Sequence, residues 1–294
     1  MPELPLFPVP QSHLGRTGIP VSRLTPAAFS FAGRSGPLAP SLSADEVVRA
    51  FHELGIRSFL VTPRMREQAE GVRRLIAAGH RDRLTLVSLA GIPTQGGVRR
   101  YWLRCARALE TDRIDVYLMG WVQYRWYLRP RVWAALQALK AQGRVGAVGF
   151  SIHNRRLAAR LVRELDPPPD VLMIRYSAAH RGAESEVFAR LGEPRPGVIA
   201  YTATRWGELL EARPQEGFPR GMTAGECYRF DLMNPAVDTV LCGARSFAEL
   251  AGDIAEVEGG PLATDRLEEV VRFGETVHRN PARRSSWFMF DRTK

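Results

Sequence analysis

Residues 143–177 read GRVGAVGFSIHNRRLAARLVRELDPPPDVLMIRYS, and the fold is decided by how the pattern changes within them. VGAVGFSI, from residue 145, is a short β-rich apolar run; NRRLAARLVRELD, from 154, is an amphipathic helical stretch; VLMIRYS, from 171, is apolar and β-rich again. A side-chain period near two that gives way to one near 3.6 and then returns predicts a strand, a covering helix and a second strand.

The same alternation runs outward in both directions. SADEVVRAFHELG (43–55) predicts a helix with Ser43 as N-cap, Glu46 at the capping-box position, Val47, Phe51 and Leu54 on its apolar face and Gly55 as its stop. Apolar runs recur as LTPAAFSFAG (from 24), SFLVTP (58), LTLVSLAG (84), DVYLMGW (115), GVIAYTAT (197) and TVLCGA (239), with helical stretches such as RPRVWAALQALKAQG (from 129) between them. With the two runs of the opening stretch this makes eight strand-and-helix units, the pattern of an α/β chain closed as a (β/α)8 TIM barrel. The expected organisation is one domain over 1–294: a hairpin cap at 8–23, the barrel at 24–258, and at 259–294 an added helix, ATDRLEEVVRFGETVHRN, with the tail RRSSWFMFDRTK.

Composition narrows the function classes. Hydrophobic residues at 45% and charged residues at 24% are ordinary for a globular chain, and no apolar run is long enough to cross a bilayer. MPELPLFPVPQSHLG lacks the basic start and continuous apolar middle of a secretory signal, and Cys105, Cys227 and Cys242 are few and scattered, so a reduced, cytoplasmic setting is expected. The net charge of +10 would suit nucleic acid, but only Lys140 and Lys294 of the 41 basic residues are lysine and the arginines are spread over almost every helix. A solvated surface accounts for that spread, and neither nucleic acid nor membrane is expected as a partner.

Several stretches, in order, resemble the aldo-keto reductase family: LGRTGIPVSRL its opening hairpin, RIDVYLMGW its fourth strand, LKAQGRVGAVGFSIHN its passage into the fifth, and HRGAESEVF, GVIAYTATRWGELL and LCGARSFAEL its later loops and strands. The resemblance implies a TIM barrel whose mouth holds an extended NADP(H), and a reductase in which a buried tyrosine, tuned by a lysine and an aspartate, donates a proton while a histidine orients the carbonyl. A nearby cation is what makes such a tyrosine a competent acid near neutral pH. In this sequence the four matching positions are Leu60 for the aspartate, Met65 for the tyrosine, Leu89 for the lysine and Gly120 for the histidine. None of the four can ionise, so the resemblance implies the barrel and withholds its standard chemistry.

At the matching cofactor positions Ser151 is kept, while Ile152 and Met173 replace residues that would hold a nicotinamide carboxamide. Tyr201 matches the ring-stacking position and Thr202 the pyrophosphate donor; Gly243, Ala244, Arg245 and Ser246 match the loop that takes a 2′-phosphate, and Asp253 replaces an asparagine. Met173, Arg175 and Ser177 share one face of their strand, and Arg175 would either draw an anionic ligand or pair with an internal acid. Gly120 and Trp121, with the aromatic residues Tyr124, Trp126 and Tyr127, suggest room for a flat apolar ligand or a loop packed on itself. His153, Tyr124 and Tyr127 are the alternative proton carriers, and His180 reads as structural; no metal-ligand spacing occurs. The expected function is a pseudoenzyme or accessory protein that binds a small anionic or aromatic ligand; the alternatives are an NADP(H)-dependent oxidoreductase with unorthodox proton donors and a non-redox isomerase or cyclase.

Overall fold

The computed structural model describes residues 7–27 and 41–279. A hairpin of β1 (Gln11–His13) and β2 (Pro20–Ser22) leads into β3 (Leu24–Pro26), α1 (Ala44–Glu53), β4 (Ser58–Leu60), α2 (Arg66–Ala77), β5 (Thr85–Ala90), α3 (Gln95–Leu109) and β6 (Ile114–Val122). There follow α4 (Pro130–Ala141), β7 (Val145–Ile152), α5 (Arg155–Glu164), β8 (Val171–Arg175), the short α6 (Ala183–Glu186), β9 (Gly197–Tyr201), α7 (Ala224–Leu232), β10 (Thr239–Cys242), α8 (Phe247–Glu258) and α9 (Thr264–Arg279). No helix of the described residues is long and apolar enough to cross a membrane.

The helices begin where side chains can replace the missing backbone acceptors of a first turn. Ser43 and Glu46 form the expected capping box on α1, and Gly55 follows it with φ near +67°. Thr94, Asn154 and Ser246 accept the amides of Gly97, Leu157 and Glu249, and Pro130 opens α4, where its absent N–H costs nothing.

Eight strands pair in parallel in the order β3-β10-β9-β8-β7-β6-β5-β4, and an Ala27–Leu60 bridge joins the two end strands. The sheet is thus a (β/α)8 barrel. Alternate residues point inward, so Leu60, Val87, Leu89, Val116, Leu118, Ala147, Val171, Met173 and Ile199 fill the interior, while Leu172, Ile174 and Tyr176 belong to the outer core beneath the helices. At Gly149 the neighbouring strand comes so close that a Cβ would collide with the carbonyl oxygen of Val171.

The N-terminal end of the barrel is closed by polar and apolar devices together. Thr25 Oγ1 lies 2.6 Å from Ser58 Oγ and 2.8 Å from Thr239 Oγ1, and Thr239 in turn donates to the Ser22 carbonyl at 2.7 Å. Leu14 and Val21 of the hairpin, both fully buried, join the interior cluster. Asp238 fixes the hairpin turn by accepting the amides of Gly15 (3.1 Å) and Val198 (2.8 Å) while paired with Arg195 at 2.7 Å. The expected plug is present, and the opposite end of the barrel is left to carry a site. The expected C-terminal helix is α9; it lies so close over the loop after β8 that Gly274 admits no side chain against Ala178. The tail RRSSWFMFDRTK and most of LTPAAFSFAG lie outside the described residues.

Candidate ligand site at the barrel mouth

Leu60, Met65, Leu89 and Gly120, the four positions that the resemblance singles out, lie at or just beyond the C-terminal ends of β4, β5 and β6. Leu60 ends β4, Leu89 lies near the end of β5 and Met65 precedes α2; all three are buried and pack in the interior cluster. Gly120 lies in an irregular stretch of β6, where the register against β7 shifts between Met119 and Val122 and Trp121 adopts a left-handed φ of +52°. That bulge turns the Trp121 side chain onto the interior cluster, against Gly91. Gly120 itself is crowded: a Cβ built on it would stand 3.3 Å from Leu89 Cβ and from the Ala90 carbonyl oxygen.

On the other side of the mouth, Ser151, Met173, Arg175 and Tyr201 come together as the strand alternation predicts, all at the C-terminal ends of β7, β8 and β9. Tyr201 donates its phenolic hydrogen to the Ile152 carbonyl at 2.9 Å, and burial pushes its pKa up, with Arg175 and Ser151 opposing in part. A phenol held this way is a poor acid. The His153 ring stands edge-on to Tyr201 with centroids 5.3 Å apart. Thr202, the expected pyrophosphate donor, has φ near +63°, and its hydroxyl donates to the Tyr201 carbonyl at 2.6 Å.

The loop that follows is strained and strongly charged. Arg205 and Trp206 also lie in the left-handed region, at φ near +50° and +54°. Buried Arg205 faces Glu208 at 3.6 Å, and Arg213 approaches the same carboxylate at 3.9 Å. Under this loop His180 is buried, edge-on to His278 with centroids 5.4 Å apart. Burial, with Arg175 and Arg205 nearby, holds the imidazole well below its ordinary pKa.

The third part of the site is the turn from β10 into α8. Gly243 offers bare backbone, with nothing within 4 Å of a Cβ built on it, and Ala244 is buried. Arg245 reaches out to solvent but its guanidinium is paired with Glu249 at 3.1 Å. Asp253 is buried one turn further along α8; burial, then Glu249 and Glu256, push its pKa up to about 7. Sequence reasoning missed the carboxylates of Glu249 and Glu46 here. Glu46 was legible only as the capping partner of its own helix.

The aromatic residues after β6 pack partly on one another, and Tyr127 also lies against the outer core. Tyr124 and Trp126 are exposed, and the Tyr127 ring lies 6.4 Å from Tyr124 and 4.5 Å from Trp126. A cavity of about 630 Å³ nearby, between the starts of α3 and α4, is lined by Thr94, Gln95, Gly96, Arg129, Pro130 and Arg131, none of them a predicted site residue.

A family model described as the aldo/keto reductase family matches residues 29–224. An aldo-keto reductase from Bacillus halodurans, AKR11C1 in its holo form, superposes with a TM-score of 0.73 at 19% identity, covering 92% of this chain and 100% of the other. A crystal structure assigned as an aldo-keto reductase from Pseudomonas aeruginosa gives a TM-score of 0.65 at 23% identity, covering 85% and 95% of the two chains. Among curated proteins, none matches the sequence.

Proposed function

The chain belongs to the aldo/keto reductase family, and from that premise we propose that it is a ligand-binding barrel in which the family's carbonyl reduction has been given up. The observation that carries this reading is the burial of Leu60, Met65 and Leu89 among the interior side chains, beside a crowded Gly120. A reductase must protonate a developing alkoxide as hydride arrives, which calls for an acid whose pKa a neighbouring cation has lowered. Lys140, the only lysine among the described residues, lies on the outside of the barrel on α4, paired with Asp170 at 2.6 Å. Tyr201, the phenol closest to the expected ring site, has its pKa raised and its hydrogen already given to Ile152.

The fit of NADP(H) is uneven. Tyr201 supports stacking of a flat ring, and open Gly243 supports close backbone approach. Ile152 and Met173 supply no side-chain hydrogen bond to a carboxamide, a deficit of roughly 1–3 kcal/mol for each polar atom left unpartnered. No step of a redox reaction is therefore assigned to these residues. The reading is of a mouth that holds a nucleotide-like or other flat ligand for a purpose other than standard reduction.

The test is a titration of the protein with NADPH followed by fluorescence, with NADP+ and the dephosphorylated cofactors as controls, beside NADPH consumption over a panel of aldehydes and quinones. Saturable binding without consumption above background is the expected result. Consumption that depends on enzyme concentration overturns the proposal, and its loss in Tyr124→Phe, Tyr127→Phe or His153→Ala would name the replacement acid.

A further inference from the structure

The turn from β10 into α8 matches a 2′-phosphate subsite in sequence, but in the fold two of its backbone amides and the Arg245 Nε are already used by carboxylates. The Phe247 amide donates to Glu46 Oε1 at 2.8 Å. The Arg245 amide and Nε donate to Glu249 Oε2 at 3.0 and 3.1 Å. The Glu249 amide is taken by Ser246 Oγ at 3.2 Å. Arg49, which lies over the Phe247 ring at 3.8 Å, is paired along the Nε–Nη2 edge of its guanidinium with both oxygens of Glu53 at 2.8 and 2.9 Å. One turn along α8, Asp253 is only 6% exposed, and among the described residues its Oδ2 has no hydrogen-bond partner.

A helix N-terminus favours an anion through its unpaired amides and its dipole. In α8 that preference is met from within the chain by Glu46 and Glu249, and Asp253 adds a buried carboxyl beside them. A ligand phosphate entering the corner would have to displace three charge-assisted hydrogen bonds and sit beside the carboxylates of Glu46 and Glu249. A hydroxyl or an exocyclic amine would instead find acceptors.

We propose that this corner accepts donors and rejects a 2′-phosphate, so that a dinucleotide held at the mouth is the unphosphorylated form with free ribose hydroxyls. The inference rests on the reading of the mouth as a nucleotide-type site and specifies which nucleotide it takes. Glu249 and Asp253 are the residues that set the choice, and Glu46 holds the frame in which they act.

The experiment is a set of parallel titrations with NADH, NADPH, AMP and adenosine 2′,5′-bisphosphate, followed by nucleotide and tryptophan fluorescence and by calorimetry. The unphosphorylated member of each pair should bind at least about tenfold more tightly, a difference of about 1.4 kcal/mol. Glu249→Gln and Asp253→Asn should each narrow that ratio, chiefly by strengthening the phosphorylated ligand. Glu46→Gln is less useful alone because that carboxylate caps two helices. Preference of the wild-type protein for NADPH, or variants that leave the ratio unchanged, overturns the inference while leaving the ligand-binding reading in place. Failure of all four nucleotides to bind overturns the inference and the nucleotide-type reading together.

Discussion

Glu46 ties α1 to α8: one carboxylate oxygen accepts the Ser43 amide at 2.9 Å, and the other accepts the Phe247 amide, 201 positions away in the chain, at 2.8 Å. A single side chain thus caps two helices that flank the first and last strands of the barrel. Glu46→Ala should cost about 1–2 kcal/mol, the value of one or two lost caps. Urea denaturation gives the comparison, and a loss below about 0.5 kcal/mol would mean that water replaces the carboxylate at both ends.

Stability should depend on pH through Asp253. Its pKa is pushed up from the ordinary carboxylate range to about 7 by burial first and then by Glu249 and Glu256 on its own helix; Tyr228 of α7 and Cys242 of β10 face it from the neighbouring elements. Between the unfolded value near 3.8 and the folded value near 7 the native state binds the extra proton, so this group's contribution falls as pH rises through that window and levels off above it. Asp253→Asn should be more stable than wild type at pH 8, by on the order of a few kcal/mol, and the advantage should shrink towards pH 4. Thermal melts across that range decide it, and a pH-independent difference would place the carboxyl in contact with solvent.

Placing a lysine in β5 should not create a reductase. Leu89 is 1% exposed in the interior cluster, so Leu89→Lys buries an ammonium without a partner at a cost on the order of several kcal/mol. Loss of the folded protein, or a melting temperature lowered by well over ten degrees, is the expected outcome; a variant as stable as wild type would show that the ammonium finds solvent or a partner at the mouth.

Trp206 is exposed, yet its backbone is left-handed. If the loop after β9 holds that conformation for a ligand, Trp206→Gly should raise stability by roughly 1 kcal/mol by removing the strain, while weakening nucleotide binding. A fall in stability would instead show that the indole packs as part of the fold.

Gly149 permits the close approach of β7 and β8. Gly149→Ala, which drives a methyl group into the Val171 carbonyl, should destabilise by about 3 kcal/mol or more, measured by chemical denaturation. A cost below about 1 kcal/mol would show that the two strands separate easily.

The alternation of apolar runs with capped amphipathic stretches contains the barrel, because each period is a local property: a strand shows two faces and a helix one stripe wherever the chain lies. The strands were legible for the same reason, whereas it was the resemblance that singled out Leu60, Leu89 and Gly120 as places where a reductase carries ionisable groups, and Ser151, Arg175 and Tyr201 as mouth residues. Tertiary structure alone decided what surrounds them. Trp121 turns onto the interior cluster through a bulge whose left-handed φ no composition announces. Glu46 reads locally as the partner of Ser43, three residues away, and its second oxygen meets Phe247 only because ring closure brings the first helix beside the last. Caps and periods depend on neighbours in sequence, whereas the charge at a mouth depends on which distant helices the closing sheet sets side by side.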